Sequence, residues 1–218
     1  MRRILILSLA FPLYLSTQAA AQTCAGMPAF SNGHMQIAGG AQFQDGASGF
    51  GGTFGYGTPK SLYGKAGIGT TSYDALDGSS FDFNVAGGYQ IPLQTSRTAE
   101  LCPIASLGLS SGPSDVLGSG VDLSGRTFAF GATVGALLGR TQQLRFVPNA
   151  AFQFANTRST ADDGTTSTSA SESYGLLTLG TGFVFNSRFS LNPSISFPIG
   201  LDGGNTSFGL MGAMNFGR

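Results

Sequence analysis

Apolar and polar residues alternate with period two along most of this chain, the pattern of strands that show different faces to different surroundings. The clearest run is FSLNPSISFPIGL, where Phe189, Leu191, Pro193, Ile195, Phe197, Ile199 and Leu201 fall on one parity and Ser190, Asn192, Ser194 and Ser196 on the other. Segment 79–91 sets Phe81, Phe83, Val85, Tyr89 and Ile91 against Asp82, Asn84 and Gln90. Segment 126–139 sets Phe128, Phe130, Val134 and Leu138 against small residues, and 144–155 sets Leu144, Phe146, Phe152 and Phe154 against Arg145, Asn149 and Gln153. Such segments predict about ten strands, near 34–44, 49–57, 61–72, 79–91, 97–110, 126–139, 143–157, 172–186, 188–201 and 205–216. Eight remains possible, with 34–57 the place where a miscount would arise. The eighth strand has an ambiguous phase, because Leu176 and Leu177 support opposite parities. No amphipathic period of 3.6 stands out.

The connections also alternate. Those near 58–60, 93–96, 140–142 and 186–188 are short, whereas 73–78, 111–125 and 157–171 are longer and rich in Gly, Ser, Thr and Asp. Charge sorts the same way. Lys60, Arg97, Arg140, Arg188 and Arg218 lie at one set of strand ends; Asp45, Asp74, Asp77, Asp115, Asp122, Asp162, Asp163, Glu172 and Asp202 lie at the other. This is the expected layout of an up-and-down barrel with short turns at one rim and longer loops at the other.

Composition decides what surrounds such a barrel. Charged residues make up only 10% of the chain, with 34 Gly, 18 Phe and no Trp. The polar parity is mostly Gly, Ala, Ser, Thr, Asn and Gln, too weakly charged for a water-facing wall. The apolar parity carries more Phe than one small lumen could hold. Bulk outside and small polar groups inside is the membrane solution, and closure leaves no unpaired edge in hydrocarbon. Ahead of the strands, Arg2 and Arg3, the apolar run Ile4 to Leu15 and Ala19-Ala20-Ala21 read as a secretory signal peptide over 1–21. The apolar run is too short for a spanning helix, which needs about 20 residues. The expected division is therefore signal peptide 1–21, a periplasmic segment 22–33 and an outer-membrane barrel 34–218. The acidic end is expected to face outward and the basic turns the periplasm.

Cys24 and Cys102 are the only cysteines, and in an exported chain they suggest one disulfide. Both lie near the basic-turn end, and about ten extended residues reach roughly 33 Å. Residues 22–33 would then lie across the periplasmic mouth. Pro103, Pro148 and Pro193 each follow a short turn by a few residues, which suggests a shared device at that rim, such as a bulge. The alternative is that those strands start after the proline.

The signal peptide, alternation in ten-residue runs, Gly-rich strands and rim prolines resemble the small outer-membrane β-barrel proteins of the opacity and porin-like class. The resemblance covers the chain from about residue 34 and implies fold and location, outer-membrane lipid and the outer-membrane assembly machinery as partners, and little chemistry. Such proteins end on a strand with a terminal aromatic. Here Phe208, Leu210, Met214 and Phe216 alternate, and Gly217 and Arg218 follow.

Candidate chemistry is sparse. His34 is the only histidine and sits far along the strand from the acidic cluster, so no Ser-His-Asp site assembles and no enzyme is expected. Two cysteines and one histidine give no zinc spacing, so no metal centre or cofactor is expected. GFGGTFGYG lacks the dinucleotide spacing and the following helix. A formal net charge of zero without a basic stripe argues against nucleic acid. The few charged residues on the lumen parity include Lys65, Asp82, Glu100 and Arg145. Pairing of Lys65 with Asp82, and of Glu100 with Arg145, would set a constriction in a narrow channel for small solutes. The competing reading is a structural or adhesive surface barrel that acts through its acidic Ser/Thr-rich loops, above all RSTADDGTTSTSASES.

Overall fold

The structure, a computed structural model, describes Cys24 and residues 35–58, 61–74, 78–93, 99–112, 121–138, 144–185, 188–201 and 203–216. The strands are β1 (Met35–Gln44), β2 (Ala47–Gly57), β3 (Leu62–Tyr73), β4 (Ser79–Tyr89), β5 (Ile91–Pro92), β6 (Ala99–Ser111), β7 (Asp122–Ala136), β8 (Leu144–Asp162), β9 (Ser167–Phe185), β10 (Phe189–Ile199) and β11 (Ser207–Phe216). Consecutive strands pair antiparallel except β4 and β5, which lie end to end along β6, and β1 pairs with β11 to close the sheet. The eleven segments thus form ten staves of a closed up-and-down barrel. The ten alternating segments expected from the sequence correspond to these staves. His34, Lys60, Arg97, Arg140, Arg218, Asp77, Asp115, Asp202 and the segments 1–21 and 22–33, Cys24 apart, lie outside the described residues.

Side-chain parity runs as the alternation requires. On β11 Phe208 is 60% exposed while Ser207 beside it is 2% exposed. Phe50, Ile68, Phe81, Phe130 and Phe152 are exposed on the outer wall. Gln36, Thr133, Thr157 and Ser190 face inward and are almost fully buried. Cross-strand ring pairs such as Phe130–Phe154, centroids 5.6 Å apart, and Phe146–Phe183, 5.5 Å apart, tile the exterior. The ambiguous phase of β9 resolves with Leu176 inside, packed with Ala129, Ala155 and Tyr174, and Leu177 on the outer parity. A side chain at Gly131 would run into the backbone of Phe152 and Gln153, so this position tolerates only glycine where β7 and β8 approach.

Two expectations need correction. The segment 157–171 is not a loop: β8 continues to Asp162 and β9 begins at Ser167, joined by a tight turn. Ser and Thr suit a pleated ladder even where no apolar face marks it. Polar cross-strand bonds hold it, with Asn156 Nδ2 donating to Ser173 Oγ at 2.8 Å and Arg158 Nη2 to Ser169 Oγ at 2.9 Å. At the tip, Asp163 Oδ1 accepts from the backbone N–H of Thr165 and Thr166 and from the Thr165 hydroxyl. Those bonds hold the Asp163 carboxyl below the usual carboxylate range. Gly164 takes the positive φ of 77° that the turn needs.

The prolines are the second correction. β6, β8 and β10 begin before Pro103, Pro148 and Pro193, so the strands do not wait for them. Nor does a bulge form, because register is unchanged across each. On β6 it runs from Gly88↔Ile104 to Ile91↔Leu101, and on β10 from Leu191↔Phe183 to Ser194↔Gly180. Each proline instead stands where the ladder to the preceding strand lapses, as its missing N–H dictates.

Candidate functional site

The barrel offers two regions that could act, its lumen and the raised side of its long-loop rim. The lumen is lined by the polar parity and held by short bonds between neighbouring staves. Gln36 Nε2 donates to Asn215 Oδ1 at 2.9 Å, and Gln42 Nε2 to Ser207 Oγ at 2.8 Å. The Thr127 and Thr157 hydroxyls lie 2.8 Å apart, those of Thr178 and Ser196 2.9 Å. Thr71 Oγ1 donates to Asp82 Oδ2 at 3.0 Å. Gln42, Asp82 and Asn84 border one cavity of about 30 Å³ behind the glycines Gly40, Gly51 and Gly69. That is room for a water or two and no more.

All four charged residues singled out from the sequence face this lumen, Lys65, Asp82 and Glu100 deeply buried and Arg145 half-buried. Register fixes their stagger. Lys65 stands opposite Ala86, four residues along β4 from Asp82. Glu100 stands opposite Gly135, which pairs with Asn149, four residues along β8 from Arg145. Each offset corresponds to about 13 Å of strand, so either pairing has to be made by side-chain reach along the axis.

The two cysteines are brought together. Cys24 and Cys102 form a disulfide with Cα atoms 6.2 Å apart, packed against Tyr63 and Ile104 at the short-turn end. Both are essentially inaccessible, so the residue from the N-terminal segment sits inside the barrel mouth. Glu100 lies close to the bridge, but sulfurs joined in a disulfide provide no thiolate for a metal.

At the other rim the wall is uneven. β8 and β9 each run for 19 residues, against 10 for β1 and β11. β10 stops pairing at Ile199↔Gly175, whereas β9 stays paired with β8 as far as Ser167. β7 accompanies β8 out to Asp122↔Asp162. On the β10 side the wall is therefore stepped, β8 and β9 running on beyond β10, while on the other side β6 keeps pace with β7 as far as the bond from Gly112 N–H to Leu123 O. Of the acidic residues assigned to this end, Asp45, Asp74, Asp122, Asp162, Asp163 and Glu172 are described and lie there; Arg188 lies at the opposite end. Arg126 and Arg158 were not sorted by the sequence reading, and they stand opposite each other near the acidic end. They are 32 positions apart in the chain, so only cross-strand register reveals them.

No protein-family model matches the sequence, and no curated protein matches it. Solved structures match through shape. The translocator domain of the autotransporter NalP from Neisseria meningitidis aligns with a TM-score of 0.50 at 11% identity, covering 84% of this chain and 86% of that one. The β-domain of the Bordetella autotransporter BrkA gives 0.48 at 14% identity, covering 84% and 99%. The N-terminal β-barrel domain of Pseudomonas aeruginosa OprF gives 0.36 at 14% identity, covering 85% and 100%. At these identities the likeness is one of fold. Closed antiparallel staves, an apolar outer wall and a polar interior together give this chain the fold of the bacterial outer-membrane β-barrels.

Proposed function

We propose that this protein resides in the bacterial outer membrane as a barrel with a side-chain-filled lumen and works at the cell surface through its raised β8–β9 rim. The observation that carries this reading is the burial of the lumen's polar side chains. Gln153, Thr133 and Asn84 are each at most 5% exposed, although they point away from lipid. In a water-filled channel such residues would be wet. The Ser/Thr-rich hairpin is an exposed polar surface, and the acidic residues around it support an extracellular position for that rim. A narrow channel, the other reading of the sequence, requires these side chains to part.

Planar-bilayer recording tests this. The oxidised protein is expected to insert without resolvable conductance steps. Steady ohmic steps would overturn the filled-lumen reading and restore the channel. Steps that appear only after reduction would assign closure to the Cys24 tether rather than to the lumen side chains.

A further inference from the structure

Arg126 and Arg158 are directly opposite on β7 and β8, on the outward parity shared by Phe128, Phe130 and Phe154. Like charges in direct cross-strand apposition destabilise a sheet unless an anion lies between them. Their height on the wall is informative. The outward residues of β7 and its continuation are apolar from Phe128 to Leu138. Ten residues of strand span about 33 Å, which at the usual tilt of about 40° is close to the roughly 25 Å apolar band of such barrels. On β7 the arginine rung is the next one beyond that band, and on β8 Asn156, opposite Phe128, is the one polar rung between Phe154 and Arg158, so the arginines stand at the depth of lipid phosphates. The outward rung beyond it is Ser124 with Thr160, two hydroxyls. Asp122 and Asp162 follow, four residues and about 13 Å from the arginines, beyond one screening length. Arg126, Arg158, Ser124 and Thr160, together with Leu109, Ser110 and Gly125, line an open depression of about 490 Å³. Arg158 is held in place by its bond to Ser169 Oγ.

We propose that this depression binds the phosphate of a lipid headgroup in the outer leaflet, with Arg126 and Arg158 as a two-fork clamp and Ser124 and Thr160 as further donors. Planar guanidinium forks match phosphate oxygens two at a time, which a lysine cannot do. The apolar wall below the clamp, Phe128 and Phe130, would receive the acyl chains of the same molecule. The inference rests on the outer-membrane location and outward acidic rim proposed above.

The test is native mass spectrometry of the full-length mature protein in detergent, incubated with lipid A bearing both phosphates or with the same lipid dephosphorylated. The wild type is expected to retain the phosphorylated form and not the other. Arg126→Gln/Arg158→Gln should retain about tenfold less or lower, from the loss of charge-assisted bonds. Arg126→Lys/Arg158→Lys should fall between them. Heat-modifiable gel migration verifies folding, and single Arg158→Gln serves if the double variant does not fold. Equal retention by the glutamine variant and wild type, or equal retention of both lipids, would overturn the site. Displacement by excess inorganic phosphate would mark a free-phosphate site and overturn the lipid as its occupant. Fractionation separates the two levels of the argument. Protein recovered outside the outer membrane sinks the location, whereas outer-membrane protein without arginine-dependent retention sinks only the clamp.

Discussion

Phe130→Arg should lower the stability of the barrel in lipid by about 2 kcal/mol. Phe130 is 52% exposed, lies one outward rung inside the apolar band that begins at Phe128 and has the Phe154 ring 5.6 Å away, so the substitution puts a charge inside the hydrocarbon and removes a ring pair. Denaturant titration of protein folded into phospholipid vesicles measures the cost. The sign is specific to a membrane wall. On a soluble protein, replacing an exposed Phe with Arg would be close to neutral. A change under about 0.5 kcal/mol would contradict a lipid-facing Phe130.

The second large effect concerns the bridge. Removing it with Cys24→Ser/Cys102→Ser should cost on the order of 4 kcal/mol, because the crosslink closes a loop with a sequence separation of 78 and so restricts the unfolded chain. The same change removes the link that holds Cys24 at the short-turn end. Unfolding midpoints of the oxidised, reduced and double-serine proteins give the measurement. The reduced and double-serine forms should coincide below the oxidised one. If all three unfold together, the bridge contributes no stability and its loop is already ordered without it.

How much of this was legible in the sequence depends on whether one residue or two neighbours carry the signal. Strands β10 and β4 announce themselves, since Phe189 to Ile199 and Phe81 to Val85 alternate against Ser, Asn and Asp. The lumen orientation of Lys65, Asp82 and Glu100 follows from the same parity. The phase of β9 does not, because Leu176 and Leu177 are both apolar and only the packing of Leu176 on Ala129 and Ala155 separates them. The raised hairpin was hidden for a related reason. Ser167 to Ser173 has no apolar face, so nothing in its pattern distinguishes a strand above the membrane from a loop. The stagger of Lys65 against Asp82 and the apposition of Arg126 with Arg158 are matters of register, set by turns that composition does not fix. The disulfide was readable because two cysteines near the same rim leave a single pairing. The ladder gaps at Pro103, Pro148 and Pro193 were half-readable: their common position shows in the chain, but not which neighbouring strand loses the bond.

The central claim is that the phenylalanine-bearing parity faces lipid and the small polar parity faces a closed interior. Spin labels placed singly at 127, 128, 129, 130, 133 and 134 in vesicle-embedded protein test it most directly, by collision with dissolved oxygen and with a water-soluble nickel chelate. Thr127, Ala129 and Thr133 are buried inside, while Phe128, Phe130 and Val134 are exposed outside. Labels at 128, 130 and 134 should collide strongly with oxygen and weakly with nickel, and those at 127, 129 and 133 should collide weakly with both. Strong nickel collisions at 128, 130 and 134 would mean that this wall faces water, and the membrane barrel would be wrong.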